Sequence, residues 1–230
     1  MVKEGYYFGL PLLLLGAAAY LFEWAVAAVV CVCLAIFVFS FFRDPERVIP
    51  SDPGAVVSPA DGRIVVVTDE ENAGRPGKRI SIFLAIWNVH VNRAPAGGVI
   101  SKLEYKPGKF LAAMREQASV VNEQNVFTLS TDAGEMVFKQ IAGLIARRVV
   151  SWKKAGERVA RGERIGLVRF GSRADVWVPQ DAEILVKLGD HVKGGASVLA
   201  MWPKKTETAR AKERQNFETD VNVPIAGKPT

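Results

Sequence analysis

Gly156-Glu157-Arg158-Val159-Ala160-Arg161-Gly162-Glu163-Arg164-Ile165 returns 33 residues later (189 − 156) as Gly189-Asp190-His191-Val192-Lys193-Gly194-Gly195-Ala196-Ser197-Val198. Both copies read Gly-acidic-x-Val-x-x-Gly-x-x-aliphatic. Glycines at these intervals suit tight turns with positive φ, and the Val and Ile or Val between them suit a shared core. The repeat therefore predicts two equivalent β half-units in the C-terminal part of the chain.

Outward from the repeat, short Val- and Ile-rich runs bounded by Gly, Pro, Asn or Asp continue the pattern at 63–68, 79–86, 126–130, 136–141, 164–170, 175–178 and 183–187. One helix is expected over residues 109–119. The fold class is mainly β (α+β). Two such half-units resemble the lipoyl and biotinyl carrier fold, a barrel-sandwich with internal pseudo-twofold symmetry. In those carriers the modified lysine stands at the exposed tip of the hairpin between the halves, about seven residues past the aliphatic ending the first repeat; here that position is Ser172.

The 230 residues are 49% hydrophobic and 23% charged, with a formal charge of +6. That excess of cations suits an anionic partner, nucleic acid or acidic lipid. The apolar residues are concentrated at the N-terminus. Residues 24–42 carry no charge and approach the roughly 20 residues that cross a bilayer core. The run at 8–22 is shorter, holds Pro11, and is parted from the next only by Glu23. With Lys3 on one flank and Arg43 and Arg47 on the other, the reading is a retained transmembrane helical hairpin with both ends cytoplasmic, or one span after an interfacial helix. A membrane partner makes lipid the better reading than nucleic acid. The expected division is a membrane anchor at 1–42, a β domain at 43–202 and a polar tail at 203–230. Cys31 and Cys33 are too close for a disulfide and have no His or Asp beside them, so no metal site is read there.

Three residues carry the chemistry. Gly171-Ser172 places a hydroxyl next to a carbonyl it can attack, after a flexible residue, although the same pair is also an ordinary turn dipeptide. His90 ends an apolar strand in Trp87-Asn88-Val89-His90-Val91-Asn92-Arg93 and is suited to proton transfer, or to a packed strand end. His191, inside the repeat turn, is expected at the surface. Asp61 in Ser58-Pro59-Ala60-Asp61-Gly62 can fix the tautomer of a basic histidine, or serve as a turn residue.

Taken in order, Phe42-Arg43-Asp44-Pro45-Glu46-Arg47, Ser58-Pro59-Ala60-Asp61-Gly62, Asn88-Val89-His90-Val91-Asn92-Arg93 and Phe170-Gly171-Ser172 resemble the phosphatidylserine decarboxylase family in its short membrane-anchored form, over about residues 43–201. The resemblance implies that the precursor cuts itself between Gly171 and Ser172, leaving a β chain (1–171) and an α chain (172–230) as a heterodimer. It further implies that Asp61 orients His90, that His90 deprotonates Ser172, and that Ser172 becomes a pyruvoyl group whose ketone condenses with the amine of the serine phospholipid. Phosphatidylserine would become phosphatidylethanolamine and CO2 at the cytoplasmic face of the cell membrane, with neither pyridoxal phosphate nor metal and no nucleic-acid partner. Lys109, Phe110, Met114 and Arg115 match the family's substrate-side region: cations for phosphate, apolar residues for an acyl path. The alternatives are a decarboxylase of an ether-linked serine lipid and, in another class, a membrane-anchored lipoyl-like adaptor. The adaptor would need long helices between the repeat halves, where only about 23 residues stand. A lipoyl-type carrier would need a lysine at the tip, and a serine hydrolase would need a Gly-x-Ser-x-Gly elbow that this chain lacks.

Overall fold

The computed structural model describes residues 1–144, 148–169 and 171–202; Phe170 and the polar tail at 203–230 lie outside the described residues. Two helices, α1 (Lys3–Leu21) and α2 (Ala25–Phe41), come first. Strands β1 (Ala55–Val57), β2 (Gly62–Asp69), β3 (Gly77–Leu84), β4 (Val91–Arg93) and β5 (Gly98–Lys106) follow, then the single-turn helix α3 (Ala118–Val121). The chain continues through β6 (Gln124–Thr131), β7 (Gly134–Ile141), β8 (Val149–Ser151), β9 (Arg158–Val159), β10 (Arg164–Val168), β11 (Ser172–Pro179), β12 (Glu183–Ile184), β13 (His191–Val192) and β14 (Val198–Met201).

The main sheet has eight antiparallel strands in the order β13-β2-β3-β11-β7-β6-β5-β9. Bulges at Ile64/Val66 and Ile100/Lys102 add the bend that curls it. Two three-stranded sheets, β1-β14-β12 and β4-β10-β8, complete the domain. Ile80, Ile82, Phe127, Phe138, Val176 and Leu199 are all fully buried in one core.

The repeat read from the sequence is also a repeat of backbone geometry. Gly156 and Gly162 have φ of 89° and 75°, and their mates Gly189 and Gly195 have 95° and 78°. Gly156 N donates to Ile100 O (2.7 Å) and Gly189 N to Ile64 O (2.9 Å); Gly162 N donates to Ala94 O (2.8 Å) and Gly195 N to Ser58 O (2.7 Å). The acceptors disclose a second repeat that sequence reasoning missed. Ser58-Pro59-Ala60-Asp61-Gly62-Arg63-Ile64 and Ala94-Pro95-Ala96-Gly97-Gly98-Val99-Ile100 occupy equivalent places, 36 residues apart (94 − 58). The register of this repeat matches Asp61 to Gly97.

The expected strands are present, most of them a residue or two longer or shorter; only the expected strand at 183–187 shrinks to Glu183–Ile184. The expected helix over 109–119 is not formed. Lys109 N donates to Val121 O at 2.7 Å, whereas a helix would hold those residues roughly 18 Å apart. Asn122 closes the loop instead: its Oδ1 accepts from Leu111 N (2.9 Å) and its Nδ2 donates to Leu111 O (2.9 Å) and Ala142 O (2.7 Å).

The N-terminal run does form a helical hairpin, turned at Glu23 (φ 62°). Its helices have 19 and 17 residues. Among the described residues no helix is long and apolar enough to cross a membrane; the expected hairpin is present. Apolar side chains such as Leu14, Leu21, Phe22, Val26 and Ile36 are exposed along it. Its base is buried: Val2, Phe41 and Phe42 pack with Val89, Val91 and Leu167 of the β domain.

The linker that leaves α2 is fixed by a set of ion pairs. Asp44 meets Arg93 (2.9 Å) and Arg164 (2.5 Å), Glu46 meets Arg164 (2.7 Å), and Arg47 meets Asp61 (2.8 Å). Arg93 also donates to the carbonyls of Gly162 (3.1 Å) and Pro45 (3.0 Å). Asp44→Ala leaves the largely buried Arg93 without its carboxylate. The expected cost is about 3 kcal/mol, the low end for a buried pair because Arg164 is partly exposed. It is read as a lower urea midpoint at unchanged slope, and an unchanged midpoint would show that the linker is not held there.

Candidate functional site

Gly171 has φ of +62°, and a Cβ added to it would meet nothing within 4 Å, so glycine serves the backbone conformation and not a shortage of space. The next residue opens β11. Ser172 pairs with Leu84 of β3, and one residue on, Arg173 pairs with both Phe83 of β3 and Ile141 of β7. The expectation of an exposed tip is corrected here. Ser172 is fully buried because β11 is a central strand, covered on both faces. Its Oγ has no hydrogen-bond partner among the described residues.

His90 lies between α2 and β4. Its Nδ1 is 2.8 Å from Asn88 O, which assigns the proton to Nδ1 and leaves the Nε2 lone pair available. Nε2 is buried and likewise has no partner among the described residues. The Phe41 ring covers the imidazole with centroids 4.1 Å apart. Burial pulls its pKa from 6.5 to about 4; the Asn88 carbonyl opposes the shift and the Arg43 guanidinium adds to it. His90 is therefore neutral at pH 7. Its carbonyl accepts from Val168 N (3.3 Å), four residues before Ser172. Ser172 Oγ and His90 Nε2 are thus each buried without a hydrogen-bond partner among the described residues, and no hydrogen bond joins the two in the uncut chain. Leaving such groups unpaired costs about 1–3 kcal/mol each.

Asp61 is not brought to His90. It takes Arg47 Nη2 at 2.8 and 3.0 Å and Gly194 N at 2.8 Å. It fastens the linker to the second repeat turn, and the Asn88 carbonyl orients the imidazole. His191 is exposed, as expected.

Of the expected substrate-side residues, Phe110 packs against Ala142, Val149 and Val168, while Met114 and Arg115 are exposed on the loop between β5 and α3. Lys109 is exposed and bridges Asn122 through its backbone. The Arg115 carbonyl accepts from Arg173 Nη1 (3.4 Å), so this loop is tied to the strand that Ser172 opens.

Beneath that loop lies a polar cluster that the sequence reading missed. Arg173 is fully buried; its Nε donates to Asp175 Oδ1 (2.7 Å) and its Nη2 to Ser81 Oγ (2.6 Å). Arg79 reaches Ser81 (3.1 Å), Glu116 (3.3 Å) and Glu70, and Ser119 donates to Asp175 Oδ2 (2.5 Å). Alternation along β11 was the available signal, since positions 173 and 175 must share a face. A second buried chain, Asn125 to Gln140 (3.0 Å) to Asn92 (2.9 Å), accounts for Asn92 in the histidine motif.

A family model described as phosphatidylserine decarboxylase matches residues 34–200. A protein of Symbiobacterium thermophilum named phosphatidylserine decarboxylase proenzyme is 46% identical over 208 residues, 89% of this chain and 96% of that protein. A Solibacter usitatus protein of the same name is 48% identical over 203 residues, 87% and 96% of the two chains, and one from Magnetococcus marinus is 43% identical over 204 residues, 86% and 94%.

A histidine whose pKa is lowered on folding makes the fold lose stability as pH falls from 6.5 toward about 4, because the unfolded chain takes the proton first. In the same window Nε2 remains a free base. If it takes the Ser172 proton, the rate of chain cleavage is expected to hold down to about pH 5 and to decline with a midpoint near 4. Phe41→Ala admits water and moves that midpoint up toward 6.5. Time courses of cleavage across pH check both, and a wild-type midpoint of 6.5 or above would remove His90 as the buried base.

Proposed function

The chain belongs to the phosphatidylserine decarboxylase family, and from that premise we propose that it is a precursor which cuts itself before Ser172 and then converts phosphatidylserine to phosphatidylethanolamine and CO2. The observation that supports the reading is that two buried atoms of complementary chemistry, Ser172 Oγ and His90 Nε2, are each without a partner among the described residues, and that Ser172 follows a glycine in the left-handed conformation.

The steps follow from that arrangement. Nε2 takes the hydroxyl proton, and Oγ attacks the carbonyl carbon of Gly171. The C–N bond breaks, the proton passes to the released amine, and an ester joins the two parts. Loss of the α-proton of residue 172 then expels the Gly171 carboxylate. Water replaces the nitrogen of the resulting dehydroalanine, and ammonia leaves. Ser172 suits conversion to a pyruvoyl group because it stands at a strand end, buried, with its oxygen uncommitted. The ketone so formed supplies the electron sink for CO2 loss that pyridoxal phosphate supplies elsewhere.

The two chains stay together on this reading. The α chain of 59 residues (230 − 171) carries β11, which is laddered to β3 and β7 of the β chain. Its β13 and β14 pair with β2 and β1. We read the doubled turns and their matching hydrogen bonds as a lipoyl/biotinyl-like barrel-sandwich. The exposed apolar hairpin is read as the membrane attachment, inserted from the cytoplasmic face. On this reading Lys109 and Arg115 serve lipid phosphate, and Phe110 and Met114 border an acyl chain.

Intact mass after expression with membranes is expected to give two fragments, 1–171 and 172–230, the second blocked at its N-terminus and reactive with hydrazine. Ser172→Ala is expected to stay whole. A single uncut wild-type chain without reactive carbonyl would sink the reading.

A further inference from the structure

We propose that Gly143 is a positioning residue for self-cleavage: its bare Cα seats the carbonyl oxygen of Gly171 in the orientation that Ser172 attacks. The inference rests on the cleavage reading above.

Gly143 follows β7 in a segment whose place is set from outside. Ala142 N donates to Glu123 O (2.9 Å), and Ala142 O accepts from Asn122 Nδ2 (2.7 Å). A Cβ built on Gly143 would lie 2.0 Å from Gly171 O and 3.1 Å from Gly171 C, with Ala113 Cβ at 3.2 Å. Its φ lies outside the left-handed range, so the backbone would accept any residue. The sole need for glycine is therefore the close approach of the scissile carbonyl. With its oxygen against Gly143, the Gly171 carbonyl plane cannot swing, and the carbon remains presented to the adjoining Oγ. The negative charge that develops on this oxygen during attack faces the Gly143 C–H groups, a weak but favourable contact. A methyl group here must push the carbonyl away, and misplacement by about 1 Å can cost about 100-fold in rate.

Gly98 provides the control, because its built Cβ would stand 2.3 Å from Ser130 O, a comparable crowding of a carbonyl that takes no part in cleavage. The experiment follows cleavage of the full chain, wild type, Gly143→Ala and Gly98→Ala, with melting of the uncut Ser172→Ala precursor as the folded reference. The expected result is that Gly143→Ala cuts about 100-fold more slowly while melting like the Ser172→Ala precursor, and that Gly98→Ala cuts at the wild-type rate. Hydroxylamine, which cleaves an ester once formed, is expected to leave Gly143→Ala whole, because the attack itself fails. Adding Ala113→Gly, which relieves only the 3.2 Å contact, is expected to restore nothing.

Normal cleavage of Gly143→Ala, release by hydroxylamine, rescue by Ala113→Gly, arrest of Gly98→Ala as well, or melting far below the reference would each overturn the proposal. A wild-type chain that stays whole removes the cleavage reading itself, and this inference with it. A cut wild type beside a normally cut Gly143→Ala removes only the role of Gly143.

Discussion

Strand β11 begins on Ser172, and the ladders on either side of it leave that residue no exposed surface in the uncut chain. Most of the site follows from this constraint. A hydroxyl at the end of a central strand cannot be solvated, so its proton must find a protein acceptor or remain unpaired. The chain reaches the strand through Gly171 at positive φ, which turns the preceding carbonyl toward Gly143. A cut at that junction leaves the β11 pairings from Arg173 onward in place, because they lie on the far side of the bond. Cleavage is thus compatible with an unaltered sheet.

The same region receives the N-terminal hairpin. Phe41 lies over His90, and Phe42 shares a cluster with Val89, Val91 and Leu167. The hairpin supplies the apolar cover that holds the imidazole neutral. Asp44, Glu46 and Arg47 pin the departing linker to Arg93, Arg164 and Asp61, so the base of the hairpin and the β domain form one packed unit.

The sequence made legible whatever depends on local chemistry. Glycines spaced by six within each repeat had to be turns, and the structure gives all four a positive φ. Strands rich in Val and Ile formed where expected. Properties set by distant partners were not legible. The repeat of residues 58–64 at 94–100 was hidden because Asp61 and Arg63 face Gly97 and Val99 in the comparison, leaving only Pro, Ala, Gly and Ile in common. The loop over 109–119 has helical composition, but the side chain of Asn122 satisfies the backbone of Leu111 better than a helix could. Asp61 was read as the partner of His90, yet an arginine from the linker and a backbone amide from the second repeat compete for it and hold it. The orienting group, a backbone carbonyl of Asn88, leaves no mark in a sequence.

The central claim is that residue 172 carries the reactive carbonyl at the head of β11. Reduction with cyanoborohydride during turnover, followed by peptide mass mapping, tests it most directly. The account predicts that the substrate amine becomes bonded irreversibly to residue 172, and that Ser172→Ala takes up none. Substrate found on a lysine, or on no residue at all in a protein that releases CO2, would contradict it.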